Sequence, residues 1–165
     1  MKKTLSALIL TITAGGAYAA DAAIQALPFY QADKLQGQQV QPLVRDNGQY
    51  WLISSESRGL LLLDEQLQVR ASFAGNFETL AWQPSVNLNG KLVDIVVSID
   101  NESASTKLLA LNWQKPELSL LQDLPAEDAQ LETLCLYAHP QSGHLSLFSV
   151  DVQGMAHERI IYDGQ

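Results

Sequence analysis

Asp100-Asn101-Glu102 closes an apolar run with three consecutive oxygen-bearing side chains. Carboxylate and amide oxygens are the ligands a hard divalent cation such as Ca²⁺ takes, so Asp100 and Glu102 are candidate metal ligands. The triplet lacks the spacing of an EF-hand loop, and a solvated turn at a strand end accounts for it equally well. Asp94 stands inside the apolar stretch 92–99, where a carboxylate must be paired. Its partner is either a cation or, as the favoured reading, neighbouring backbone amides. His139, His144 and His157 match no zinc-site spacing, and the first two flank the turn Pro140-Gln141-Ser142-Gly143, so they read as turn or surface residues. Cys135 lies between Leu134 and Leu136 and is expected to be a small buried hydrophobe rather than a nucleophile. Ser54, Ser55 and Ser57 have no Gly-x-Ser-x-Gly context, and no Gly-x-x-x-x-Gly-Lys segment offers a phosphate cradle. Trp51, Trp82 and Trp113 recur at near-equal spacing and are assigned to packing between repeated units rather than to sugar stacking.

These residues sit in a chain of 165 with 18 acidic and 10 basic side chains and 47% apolar content. That is one domain's worth of sequence, too apolar for wholesale disorder. One cysteine excludes an intrachain disulfide and a cysteine-rich zinc site. The start, Met1-Lys2-Lys3, a short apolar run, then Ala17-Tyr18-Ala19, has the form of a secretory signal cleaved after Ala19. A product soluble in the periplasm or outside the cell is therefore expected, with no membrane span, because the apolar run falls short of the ~20 residues a spanning helix needs. Without Lys2 and Lys3, 8 basic residues face 18 acidic ones. That balance argues against nucleic acid or an anionic membrane as the main partner.

After a polar lead-in at 20–39, the chain becomes short apolar runs cut by Gly, Pro, Asn and Asp. The runs are 40–45, 50–54, 59–63, 67–73, 79–82, 92–99, 107–113, 118–121, 131–138, 144–150 and 155–162. This is the pattern of an all-β meander. Segments 92–99 and 107–113 are apolar almost throughout, as in strands covered on both faces, while 144–150 alternates. At most one helical turn fits, at 125–130. A strand–loop–strand unit recurs at 50–64, 92–112 and 144–163, roughly the 40–50-residue period of propeller blades. A β-sandwich shares the short, regular strands and is the competing architecture. Segment 40–165 holds two and a half to three four-stranded blades, fewer than a closed propeller uses. The expected architecture is an incomplete β-propeller whose last unit lacks a fourth strand and leaves an edge exposed.

Three stretches, in this order, resemble β-propeller phytases. They are Gly59-Leu60 with Asp64 after a Ser-rich strand end, Leu88-Asn89-Gly90-Lys91-Leu92-Val93-Asp94-Ile95-Val96-Val97-Ser98, and Leu134-Cys135-Leu136-Tyr137 with Gly143. The likeness runs over about 40–162, and Asn89 to Ile95 is its most specific part. It implies calcium-dependent hydrolysis of phytate (myo-inositol hexakisphosphate) in an acidic channel, where bound Ca²⁺ and nearby basic residues hold substrate phosphates. The family's basic residues are largely replaced here. Glu56 and Ser57 stand where paired lysines are expected, with Arg58 beside them as the residue left to meet a phosphate. Asp100-Asn101 stands in place of an Asn-Arg pair, Glu132-Thr133 in place of Tyr-Gly, and no basic residue lies near Asp151 and Val152. The resemblance therefore implies a noncatalytic module, similar to the incomplete N-terminal domain of dual-domain family members. Its partner would be a catalytic phytase propeller in the same full-length chain, and its ligand phytate. The alternative, from a different class, is a propeller-like interaction module of the cell envelope without phosphate chemistry.

Overall fold

The computed structural model describes residues 36–45, 48–125 and 130–162. The leader, the Asp46-Asn47 turn, positions 126–129 of the helical-turn candidate and the last three residues lie outside them. Eleven strands follow one another: β1 (Gly37–Arg45), β2 (Gly48–Ser55), β3 (Gly59–Leu63), β4 (Val69–Phe73), β5 (Ala81–Leu88), β6 (Lys91–Asp100), β7 (Ser105–Asn112), β8 (Glu117–Leu124), β9 (Leu131–Ala138), β10 (Leu145–Asp151) and β11 (Ala156–Tyr162). They form three antiparallel meanders in sheet order β1-β2-β3-β4, β5-β6-β7-β8 and β9-β10-β11. The chain is all-β, built as consecutive propeller-like blades that do not close into a ring.

Turn chemistry matches the breaks. Asn89 and Gly90, both at positive φ (51° and 81°), make a two-residue hairpin turn between β5 and β6, and the Gly90 amide donates to Asn87 Oδ1 at 2.8 Å. Two successive positive-φ residues are what a type I′ turn requires. Asp64 Oδ1 accepts the amides of Gln66 and Gln68, and Asn112 Oδ1 those of Gln114 and Lys115. Such side chains mimic a backbone turn and stop a strand.

The sheets stack face to face, and the middle one is covered on both sides. Leu52, Leu60 and Leu62 of the first sheet meet Val96, Leu109 and Leu111 of the second, with Phe77 from the connection wedged among them. On the opposite face, Ile95, Val97 and Leu108 meet Leu134, Leu136 and Leu145 of the third sheet. Alternate residues of β6 thus enter two different cores, which explains why 92–99 reads as continuously apolar. A smaller cluster of Ile53, Leu61 and Leu63 occupies the other face of the first sheet. Each fully buried leucine contributes about 1.5–3 kcal/mol.

Two strand limits differ from the sequence expectation. β1 begins at Gly37, inside the polar lead-in, because its exposed edge is held by backbone pairing (Gly37↔Ser55, Gln39↔Ser54) rather than by apolar side chains. β5 does not end at 82: it passes through Pro84 and runs to Leu88, with its register slipping between Gln83 and Val86. Proline, lacking an amide, is tolerated in a sheet at such a bulge. Cys135 is corrected as well. Leu134 and Leu136 point into the core and Cys135 to the opposite, exposed face of the third sheet, as the two-residue strand period dictates. Nor are the three tryptophans equivalent repeat positions. Trp51 lies in β2, Trp82 in β5 and Trp113 in the turn after β7, and only Trp82 and Trp113 pack against the core between the first two sheets.

Candidate functional site

The β2–β3, β6–β7 and β10–β11 turns lie at one end of the stack. The connection at 74–80 touches the ends of both β2 and β6, through Phe77 N–H to Ser55 O and a bridge between Phe77 and Asp100. Val152 N–H meets Gln130 O, which ties the third turn to the next connection. Arg58 and the Asp100-Asn101-Glu102 triplet therefore occupy corresponding turns of adjacent sheets.

Asp100 organises its own turn. Its Oδ1 accepts the amides of Asn76 (3.4 Å) and Glu102 (3.2 Å), its Oδ2 accepts the Ser103 hydroxyl (2.7 Å), and Lys107 Nζ stands 3.8 Å away. Donors and an ammonium group surround this carboxylate, so its oxygens are engaged within its own turn. Lys107 lies between Asp100 and Asp123, 2.6 Å from the latter. Bonds from Lys107 and Ser105 hold the Asp123 carboxyl below its ordinary range. Glu102 and Arg58 are exposed, and the Arg58 amide donates to Ser55 Oγ at 3.2 Å. Among the described residues, no three His, Cys, Asp or Glu side chains gather as a metal site would.

Asp151 repeats the arrangement in the third sheet. Its Oδ1 accepts the amides of Gln153 and Met155, and its Oδ2 lies 3.0 Å from His157 Nε2 across the hairpin. The His157 bond first, then the backbone amides, keep the Asp151 carboxyl below the usual range. A carboxylate whose folded pKa is depressed stabilises the fold above its unfolded pKa, and that stabilisation is lost as pH falls through the folded value. Urea midpoints of the native chain should therefore fall as pH drops below about 4, and Asp151→Asn should shrink that acid-side fall. Equal slopes for the two proteins between pH 5 and pH 3 would refute the assignment. The Asp151–His157 pair itself escaped sequence reading, because it forms only once the β10–β11 hairpin folds.

A cleft of about 560 Å³ opens at the other end of the stack, between the first and second sheets. Arg45 from the end of β1, Lys91 and Asp94 from the start of β6, and Asn112, Trp113 and Ser119 line it. Asp94 is buried and internally occupied: Oδ1 accepts the Ser85 amide at 2.8 Å and Oδ2 accepts Trp113 Nε1–H at 2.7 Å. The Ser85 amide belongs to the β5 bulge and has no ladder partner, so Asp94 satisfies the donor that Pro84 displaces. The Arg45 guanidinium lies 3.9 Å from Asp94 Oδ1 and 6.0 Å from the centre of the Trp113 ring, whose edge contact with Tyr50 (4.9 Å) fixes its tilt. Sequence reading placed Asp94 correctly among paired buried carboxylates but attached no function to Arg45 or Lys91.

No family model matches the chain, and a search of curated proteins finds no match. No helix among the described residues is long and apolar enough to cross a membrane.

Proposed function

We propose that this chain is a noncatalytic, propeller-like module that assists a β-propeller phytase by gathering phytate–calcium complexes beside a catalytic propeller. The observation that carries the reading is the open end of the stack. Among the described residues the third sheet has three strands, and its outer face presents Tyr137, Phe148 and Ile160 to solvent, 38–56% exposed. Apolar sheet faces of this kind are buried between sheets elsewhere in the same molecule, so a further sheet of a catalytic propeller is the natural neighbour. The turn carboxylates favour a noncatalytic role, since Asp100 and Asp151 are engaged in closing hairpins. Tethering would turn rebinding of substrate into an intramolecular event, which is the physical source of any gain. Export through the leader at 1–19 belongs to this reading.

The exposed edge of β11 favours a second reading, an envelope interaction module that accepts a partner strand by β-augmentation. Calorimetric titration of Ca²⁺ and then phytate, with phosphate release followed in parallel, separates the two. Saturable, calcium-dependent phytate binding without phosphate release is the expected outcome. Absence of both binding and release would leave the interaction module, and phosphate release would overturn the noncatalytic assignment.

A further inference from the structure

From the outer face of the first sheet we infer an intramolecular docking surface whose occupant is the chain's own segment 20–35, laid across β2 and β3. Ile53, Leu61 and Leu63 point away from the stack, yet they are 4%, 3% and 0% exposed. Among the described residues, the apolar side chains packed against them are Trp51 and Leu67, each of them partly open to solvent itself. Trp51 is the cross-strand partner of Leu63, and Leu67 belongs to the turn after β3, at that same end of the pair. The Ile53–Leu61 pair lies toward the other end, at the β2–β3 turn.

The third sheet shows what such a face looks like without a cover. Phe148, in its middle strand, is 38% exposed, and Tyr137 and Ile160 to either side are 48% and 56% exposed. The cover on the first sheet is also narrow. Val40 pairs with Ile53 and Val69 with Leu63, and cross-strand partners share a face. Both valines nonetheless stay open to solvent, on the edge strands β1 and β4. A packed sheet from another molecule would lie over all four strands, spaced about 4.8 Å apart, whereas one pass of chain shields the middle two.

Position, length and composition all point to 20–35. The chain enters β1 beside the covered face, since a Cβ on Gly37 would come 2.8 Å from Ile53 Cγ2. Sixteen residues precede Gln36 from Ala20 onward, long enough to follow β2 and β3 even at the helical rise of about 1.5 Å per residue. The segment is polar on average, but it gathers Ile24, Leu27 and Phe29 within six residues. Its charges, Asp21, Asp33 and Lys34, stand near its two ends. Docking removes apolar surface from water on both partners, which is the driving force. The inference goes beyond the proposed function and does not depend on it. A first sheet capped from within leaves the outer face of the third sheet as the place where a partner packs.

A nitroxide carried on Ala26→Cys, in a Cys135→Ser background of the full chain, tests it through methyl NMR resonances. Those of Ile53, Leu61 and Leu63 should lose most of their intensity, while that of Ile160, two sheets away, keeps its own. Leu27→Asp combined with Phe29→Asp should shift the same three resonances and leave Val96 and Leu109, between the first two sheets, in place. Full intensity at Ile53, Leu61 and Leu63, or unshifted resonances in the double variant, would overturn the inference. So would broadening that passes to unlabelled chains on mixing, which would make a second copy the occupant. Broadening from a nitroxide on Ser6→Cys but not on Ala26→Cys would assign the cover to the leader and overturn it equally.

Discussion

Gly59→Ala should lower the folding stability by about 3 kcal/mol or more, a large share of the 5–15 kcal/mol that holds an ordinary domain together. Gly59 opens β3 at φ +80°, a conformation that strains any residue with a Cβ by about 1–2 kcal/mol. Space is the greater obstacle. A Cβ there would lie 2.0 Å from the Phe73 carbonyl oxygen and 3.0 Å from Ala74 Cα, both backbone atoms of the adjoining β4 and its exit. Relief requires β4 to shift, and with it Phe77, which is fully buried between the first two sheets. Gly90→Ala is the matched control. Its φ is +81°, but nothing lies within 4 Å of the added carbon, so only the conformational cost of about 1 kcal/mol is expected. Urea midpoints at unchanged slope give both values. Equal losses at the two positions would show that backbone strain alone, and not the approach of β4, sets the demand for glycine at 59.

Asp94→Ala is expected to cost about 2–4 kcal/mol, because it strands the Ser85 amide and the Trp113 indole N–H near a core and removes Arg45's anchor. The bulge at Pro84-Ser85 then loses the acceptor that makes it tolerable, and the indole N–H loses its acceptor while the ring keeps its packing against Tyr50 and the core. Asp94→Asn keeps a single oxygen for two donors and should lose about half as much. Denaturant midpoints, read together with the indole N–H proton resonance of Trp113, separate the losses. An Asp94→Ala protein with native stability and an unshifted indole resonance would show that the carboxylate does not hold the cleft wall.

The strands were legible where chemistry is local. Asn89-Gly90, Asp64 and Asn112 stop strands through their own backbone preferences and short side-chain bonds, so the breaks stand in the sequence itself. The recurring strand–loop–strand unit corresponds to β2–β3, β6–β7 and β10–β11 for the same reason. Reading failed where a neighbour outside the window decides. Pro84 looks like a stop because the acceptor for the next amide, Asp94, belongs to another strand. Cys135 looks buried because its flanking leucines are, although one residue along a strand reverses the face. Gln38 and Gln39 look like a linker, yet β2 recruits them as an edge.

Of the candidate residues, Asp100 was recognisable as a strand-end carboxylate. That its oxygens face amides, a hydroxyl and Lys107 depends on the connection at 74–80 and on β7. The cleft was invisible in the sequence because Arg45, Lys91 and Trp113 come from separate elements that only sheet stacking brings together.

The sequence by itself thus determined the all-β character, the blade-like repeat and the turns, since strand period and turn chemistry act over a few residues. Only the tertiary structure decided which faces became cores, which carboxylates were consumed as structural acceptors, and which cations were left lining a cleft. Those outcomes depend on sheet-on-sheet stacking, where the partner of each side chain lies on a strand far away in the chain.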